Sequence, residues 1–134
     1  MNRQQKEYAL AKAKAQTLFE LQEEHEAEFL RGSGYTNEDG EIPERMWMID
    51  DEKEFSRLCA EFDKSPLNLT PQINAAEEDL RKAEDALIDY ALSIVPAGPR
   101  ETLNRNRNSY SIRKKMLDLA FKLDTRTVRK GVRA

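Results

Sequence analysis

The hydrophobic positions fall into four stretches separated by clusters of helix-breaking residues. In the first, Tyr8, Ala11, Ala15, Leu18, Gln22, His25 and Phe29 recur at steps of three and four, the spacing of one face of an α-helix. Leu10, Phe19 and Leu21 widen that face. Ala, Gln, Glu, Lys and Leu dominate the segment and are strong helix formers. A long helix is predicted over 2–31, with Gly32 as its stop.

An acidic loop, 32–50, comes next and carries the apolar clump Met46, Trp47, Met48 and Ile49. Trp47 is predicted to anchor this loop onto the long helices. Asp51 with Glu54 three residues later resembles a capping box. Phe55, Leu58, Cys59 and Phe62 then mark one face of a helix over 51–63.

The third stretch has the clearest rhythm. Thr70 is a good N-cap and Pro71 a good first helical residue. Ile73, Ala76, Leu80, Ala83, Leu87, Tyr90 and Ile94 follow at steps of three and four, predicting a helix over 71–95. After the break "VPAGP", residues 99–124 read as a basic helical hairpin. A short helix over 99–107 precedes a second one capped by Ser109 or Ser111. Its stripe is Ile112, Met116, Leu119, Ala120 and Leu123, broadened by Leu117 and Phe121. The basic tail 125–134 is expected to fray.

The glycines and prolines all lie at 32–43, 66–71, 96–99 and 131. A proline inside a helix costs about 3 kcal/mol, so these positions bound the helices. The expected fold is all-α, one helical domain over 1–134. It has two long antiparallel helices with two or three shorter ones, as a helical bundle or coiled-coil-like arrangement. The expected core is Leu18, Leu21, Phe29, Trp47, Phe55, Leu58, Phe62, Leu80, Leu87, Tyr90, Ile94, Ile112, Met116, Leu119 and Leu123.

Composition supports long helices with wet faces. Apolar residues are 39% of the chain and charged residues 35%, a balance that also suits a homodimer sharing its core. The single cysteine and the lack of a signal-like or membrane-spanning apolar run predict a soluble, cytoplasmic protein with no membrane partner.

Charge changes the picture more. Residues 1–99 carry 11 Lys/Arg and 22 Asp/Glu, a net charge of −11. Residues 100–134 carry 11 Lys/Arg and 3 Asp/Glu, a net charge of +8. The first helix also has its charges reversed, basic near its start and acidic over Glu20, Glu23, Glu24, Glu26 and Glu28. The helix dipole disfavours that order, so a compensating partner is expected, and the basic C-terminal segment is the obvious one.

Candidate chemistry is sparse. His25 in "EEHEAE" invites a metal, but the chain has one histidine, and Gln22 stands where a Glu-x-x-His motif needs Glu. The loop "NEDGEI" resembles the middle of a calcium-binding loop. Tyr35 and Met46 then occupy the end positions that need carboxylates. Cys59 lies on an apolar helix face with no histidine near it in sequence. No glycine-rich phosphate loop or Gly-x-Ser-x-Gly is present. No enzyme, cofactor or metal is expected.

Three functional readings stay open. The first is a non-enzymatic protein-interaction module, such as an inhibitor or adaptor that fills a partner's basic groove with carboxylates. By composition alone it is comparable to phage and mobile-element accessory proteins. Its acidic surface would be Glu20, Glu23, Glu24, Glu38, Asp39 and Glu41. The second is a nucleic-acid binder working through Arg105, Arg107, Arg113, Lys114, Lys115, Arg126, Arg129 and Lys130, with Tyr110 stacking on a base. In the first reading these cations meet an acidic partner instead. The third is a structural subunit of a helical assembly.

Overall fold

A computed structural model of the chain describes the backbone of residues 2–133 and the side chains of residues 2–122. The chain is all-α, with five helices and no strand among the described residues. They are α1 (Arg3–Ser33), α2 (Glu52–Asp63), α3 (Thr70–Ile94), α4 (Ala97–Arg105) and α5 (Tyr110–Arg133), with a short 3-10 turn at Met46–Met48. The side chains of Leu123, Arg126, Arg129, Lys130 and Arg133 lie outside the described residues.

Several helix ends depart from the expected ones for local reasons. α1 runs past Gly32, and the left-handed residue beyond its end is Gly34, at φ +75°. Its start is a reciprocal cap. The Asn2 side chain accepts from the Gln5 N–H at 2.8 Å, and the Gln5 side chain accepts from the Asn2 N–H at 2.9 Å. Asp51 caps α2, accepting from Lys53 N–H and Glu54 N–H. Glu54 does not reach back to complete the box but pairs with Arg57. Thr70 is the first residue of α3 rather than its cap. Its N–H and hydroxyl both donate to the Asn68 side chain. The backbone of α5 continues as helix to Arg133, across the tail expected to fray.

The chain divides into two units, and α1 and α3 each contribute to both. Unit 2, Lys14–Ala76, has 6 Lys/Arg against 15 Asp/Glu, a net charge of −9. Leu30, Met46, Leu58 and Phe62 form its core, with Phe29, Tyr35, Ile49, Cys59 and Leu67 packed around them. The Phe29 and Phe62 rings meet edge to face at 5.3 Å, a favoured aromatic geometry. Full burial of a leucine such as Leu58 contributes about 1.5–3 kcal/mol.

Unit 1, Met1–Ala13 with Glu77–Ala134, has 16 Lys/Arg against 10 Asp/Glu, a net charge of +6. Leu87, Ala91 and Ala120 form one buried cluster with Tyr8 and Phe121 beside it. Ile88, Leu92 and Met116 form another with Leu103, Ile112 and Leu119. The expected α3 stripe through Tyr90 and Ile94 is thus rotated by about one residue. α3 is covered from two sides, so Leu87 and Ala91 serve one contact and Ile88 and Leu92 the other. The fully buried Gln5 donates to the Ala120 carbonyl at 3.2 Å, joining the start of α1 to α5.

Four members of the expected core are exposed: Leu21, Trp47, Phe55 and Ile94. Ile94 is the last residue of α3. Trp47 is the largest correction, at 73% exposure. Successive residues of a 3-10 turn point about 120° apart, so only one of Met46, Trp47 and Met48 can face the core, and Met46 does. Phe55 lies about two turns nearer the start of α2 than Phe62 and is 41% exposed, while Leu58 and Phe62 carry the buried face.

Candidate functional site

The loop that carries Trp47 is fixed by polar contacts on both sides. Glu26 is almost fully buried, and its carboxylate accepts the Met46 N–H. The Arg45 guanidinium lies 3.4 Å from Glu26 and 3.0 Å from Glu23. A buried carboxylate is tolerated only with such partners. These contacts lock the turn from beneath. On the other flank, the Asn37 amide donates to the Met48 carbonyl at 3.0 Å and its oxygen accepts from the Asp50 N–H at 3.2 Å.

Asp50 completes the frame. Its carboxylate accepts from the Tyr35 hydroxyl and from the Glu38 N–H. The Tyr35 hydrogen bond, followed by the Glu38 one, holds the Asp50 carboxyl below its ordinary range. The same bond to Asp50 pushes the Tyr35 phenol up to about 12. Gly40, at φ +83°, closes the turn, with its N–H on the Asn37 carbonyl. Asn37, one of the residues by which this loop resembles a calcium site, therefore has its side chain engaged by the loop itself.

On this frame Trp47 stands out from the surface. Trp47 and Phe55, with Ile49, Asp50 and Glu52, line a groove of about 300 Å³. Met48, beside Trp47 in the chain, is also exposed. Sequence reasoning placed Trp47 and Phe55 in the core and did not single out Arg45 or Asp50. The signal available was position: a tryptophan in a loop bounded by proline and an acidic run, off the periodic helix faces.

The acidic residues named from sequence lie in this same unit. Glu20, Glu24, Glu38, Asp39 and Glu41 are exposed, while Glu23 is half-buried on Arg45. The Asp39 carboxylate accepts the Glu41 N–H at 3.0 Å. Arg45 and Arg57 are both held by carboxylates of the unit, Arg57 by Glu54 and Glu61. The reversed charges of α1 are thus answered in part by Arg45, a partner the sequence did not suggest.

The basic residues named from sequence divide into two groups. Arg107 lies 2.7 Å from Asp89 and also donates to the Asp85 carbonyl at 3.2 Å. Arg113 lies 2.9 Å from Glu84 and 2.9 Å from Asp85, the latter an ion pair not aligned as a hydrogen bond. Burial opposes the Arg113 charge, but its close polar contacts with Glu84 and Asp85 outweigh it and raise its pKa. These two arginines answer carboxylates of α3. Arg105, Lys114 and Lys115 are exposed and make no ion pair among the described residues. Arg126, Arg129 and Lys130 lie outside the described side chains.

Other chemistry resolves into structure. One ring nitrogen of His25, Nδ1, lies 2.8 Å from the Leu67 carbonyl, a contact that needs the proton on that nitrogen. Burial, then Asp63 and Glu26, push the Cys59 thiol up, away from the reactive thiolate. Arg100 donates to the Val95 and Ser93 carbonyls and so caps the end of α3. It lines a depression of about 460 Å³ with Asp89, Leu92, Ser93, Ala97, Glu101 and Asn104. No group of three or more His, Cys, Asp or Glu among the described residues is arranged to hold a metal ion. No helix among them is long and apolar enough to cross a membrane. No protein-family model, curated protein or solved structure matches the chain.

Proposed function

We propose that the chain is a non-enzymatic protein-interaction module that binds a basic protein surface through its acidic unit, as an inhibitor or adaptor would. One observation carries this reading: the rigidly held, exposed Trp47 within a unit of net charge −9. Two of the unit's six cations, Arg45 and Arg57, are already held by its own carboxylates. The excess of carboxylates over cations makes the field outside negative, which steers cationic partners and repels nucleic acid.

The test is affinity capture from cells that express the protein, with and without nuclease. The bait is the wild type or a chain with Glu20, Glu24, Glu38 and Glu41 changed to Gln. Nuclease-resistant protein partners held by the wild type and lost from the variant are expected. Capture that vanishes with nuclease, or that ignores the four substitutions, contradicts the reading.

A second reading, nucleic-acid binding through the basic unit, has its own support. Arg105, Lys114 and Lys115 are exposed, and Tyr110 is 82% exposed among them in sequence, a combination suited to phosphates and a stacked base. It predicts affinity for DNA or RNA that falls steeply with salt, with a smaller slope when Arg105, Lys114 and Lys115 become Glu.

A further inference from the structure

We infer that the groove between Trp47 and Phe55 receives a bulky apolar side chain from a Lys/Arg-rich amphipathic helix on a protein partner. This rests on reading the acidic unit as a protein-binding surface, and it names the point of anchorage and the chemistry of the partner.

Three observations converge. The groove is lined by the apolar side chains of Ile49, Trp47 and Phe55 and by the acidic residues Asp50 and Glu52, which form its charged rim in this inference. Asp51 and Glu38 lie beside that rim, Asp51 next in the chain and Glu38 through its N–H on Asp50. Tryptophan at the centre of such a patch is a recurrent binding hot spot.

The groove is also preorganised. The turn beneath Trp47 is tied by Glu26 to the Met46 N–H, by Asn37 to the Met48 carbonyl and by Arg45 to Glu23. Docking therefore orders little backbone, which removes a large cost of association. An exposed indole on a mobile loop would lack that advantage.

Charge selects the occupant. An anionic lipid surface or a nucleic acid meets repulsion from Asp50, Glu52 and the surrounding unit. A second copy of the chain docking through the same face would bring the same carboxylates against themselves, as an isologous contact requires. A basic amphipathic helix satisfies both features, an apolar stripe for the groove and cations for the rim.

Trp47 is the chain's single tryptophan, so its emission reports the groove directly. The probes are a Lys/Leu amphipathic helical peptide, a Glu/Leu counterpart, and a Lys/Ser peptide of equal charge. The Lys/Leu peptide is expected to shift Trp47 emission to the blue, saturably, while the other two do not. Calorimetry is expected to show affinity for it falling about tenfold or more in Trp47→Ala and in Phe55→Ala. Circular dichroism checks that both variants are folded, and Glu52→Lys, an exposed change, is expected to weaken binding without touching the core.

Binding of the Lys/Leu peptide with unshifted emission and unchanged affinity in Trp47→Ala would overturn the groove while leaving the acidic unit as a binding surface. A blue shift that grows with protein concentration alone would assign the groove to a second copy. Equal binding of the Glu/Leu peptide, or no binding of any peptide, also contradicts the inference.

Discussion

The two units use charge in opposite ways. In the basic unit, Arg107 and Arg113 are folded back onto Asp85, Asp89 and Glu84 of α3. In the acidic unit most carboxylates remain on the surface, and Glu26 and Glu23, the former nearly buried, hold the loop that carries Trp47. Charge density along a sequence is therefore a poor guide to available charge. The run that reads most like a phosphate site has its two central arginines occupied, whereas the acidic loop presents both field and an aromatic anchor.

The comparison can be probed first through the two cores. Leu58→Ala in the acidic unit and Leu87→Ala in the basic unit each remove a fully buried side chain. Each is expected to destabilise by about 2–5 kcal/mol, measured by urea denaturation. Loss of Trp47 emission change in Leu58→Ala would mark damage to the acidic unit's core.

Glu26→Ala comes next. It leaves the Met46 N–H without its acceptor, and Arg45 with Glu23 alone, in a nearly buried setting. About 2–3 kcal/mol of destabilisation is expected, together with greater acrylamide quenching of Trp47 as its turn loosens. A variant as stable and as weakly quenched as the wild type would remove the claim that Glu26 holds the loop.

Arg113→Ala is expected to cost about 1–3 kcal/mol, since its guanidinium is mostly buried against Glu84 and Asp85, which lose their partner. Lys114→Ala and Lys115→Ala, on exposed positions, are expected to change stability by less than about 0.5 kcal/mol. Equal effects at all three positions would erase the division between structural and available cations.

The smallest effect concerns the loop's pH window. Asp50 is depressed chiefly by Tyr35, so its contribution is present at neutral pH and is lost as pH falls through its lowered pKa. Tyr35 is raised, so its contribution holds below the ordinary tyrosine pKa and is lost as pH rises through about 12. Phenolate absorbance is expected to show a late step near that pH that is absent in Tyr35→Phe.

Much of the fold is legible in the chain. The breaker clusters at 32–43, 66–71 and 96–99 separate α1, α2, α3 and α4 because proline and glycine act locally, whereas the break between α4 and α5 has neither residue and Gly131 lies within α5. Asp51 caps α2 as its spacing suggests. What is not legible depends on contacts between elements. The α3 face turns by a residue because two neighbours press on it, which no single-helix pattern contains. The Asn2–Gln5 cap was readable in "NRQQ", but the reach of Gln5 to Ala120 was not. At the candidate site, hydrophobicity alone drew Trp47 and Phe55 inward. Only the tie between Glu26 and Met46 decides which residue of the turn is buried.

The measurement that tests the central claim most directly is a residue-resolved NMR titration of the chain with the Lys/Leu amphipathic peptide. The account predicts amide shift changes concentrated at residues 35–55, with the Trp47 indole among the most affected. Changes concentrated instead at residues 105–115 would contradict it.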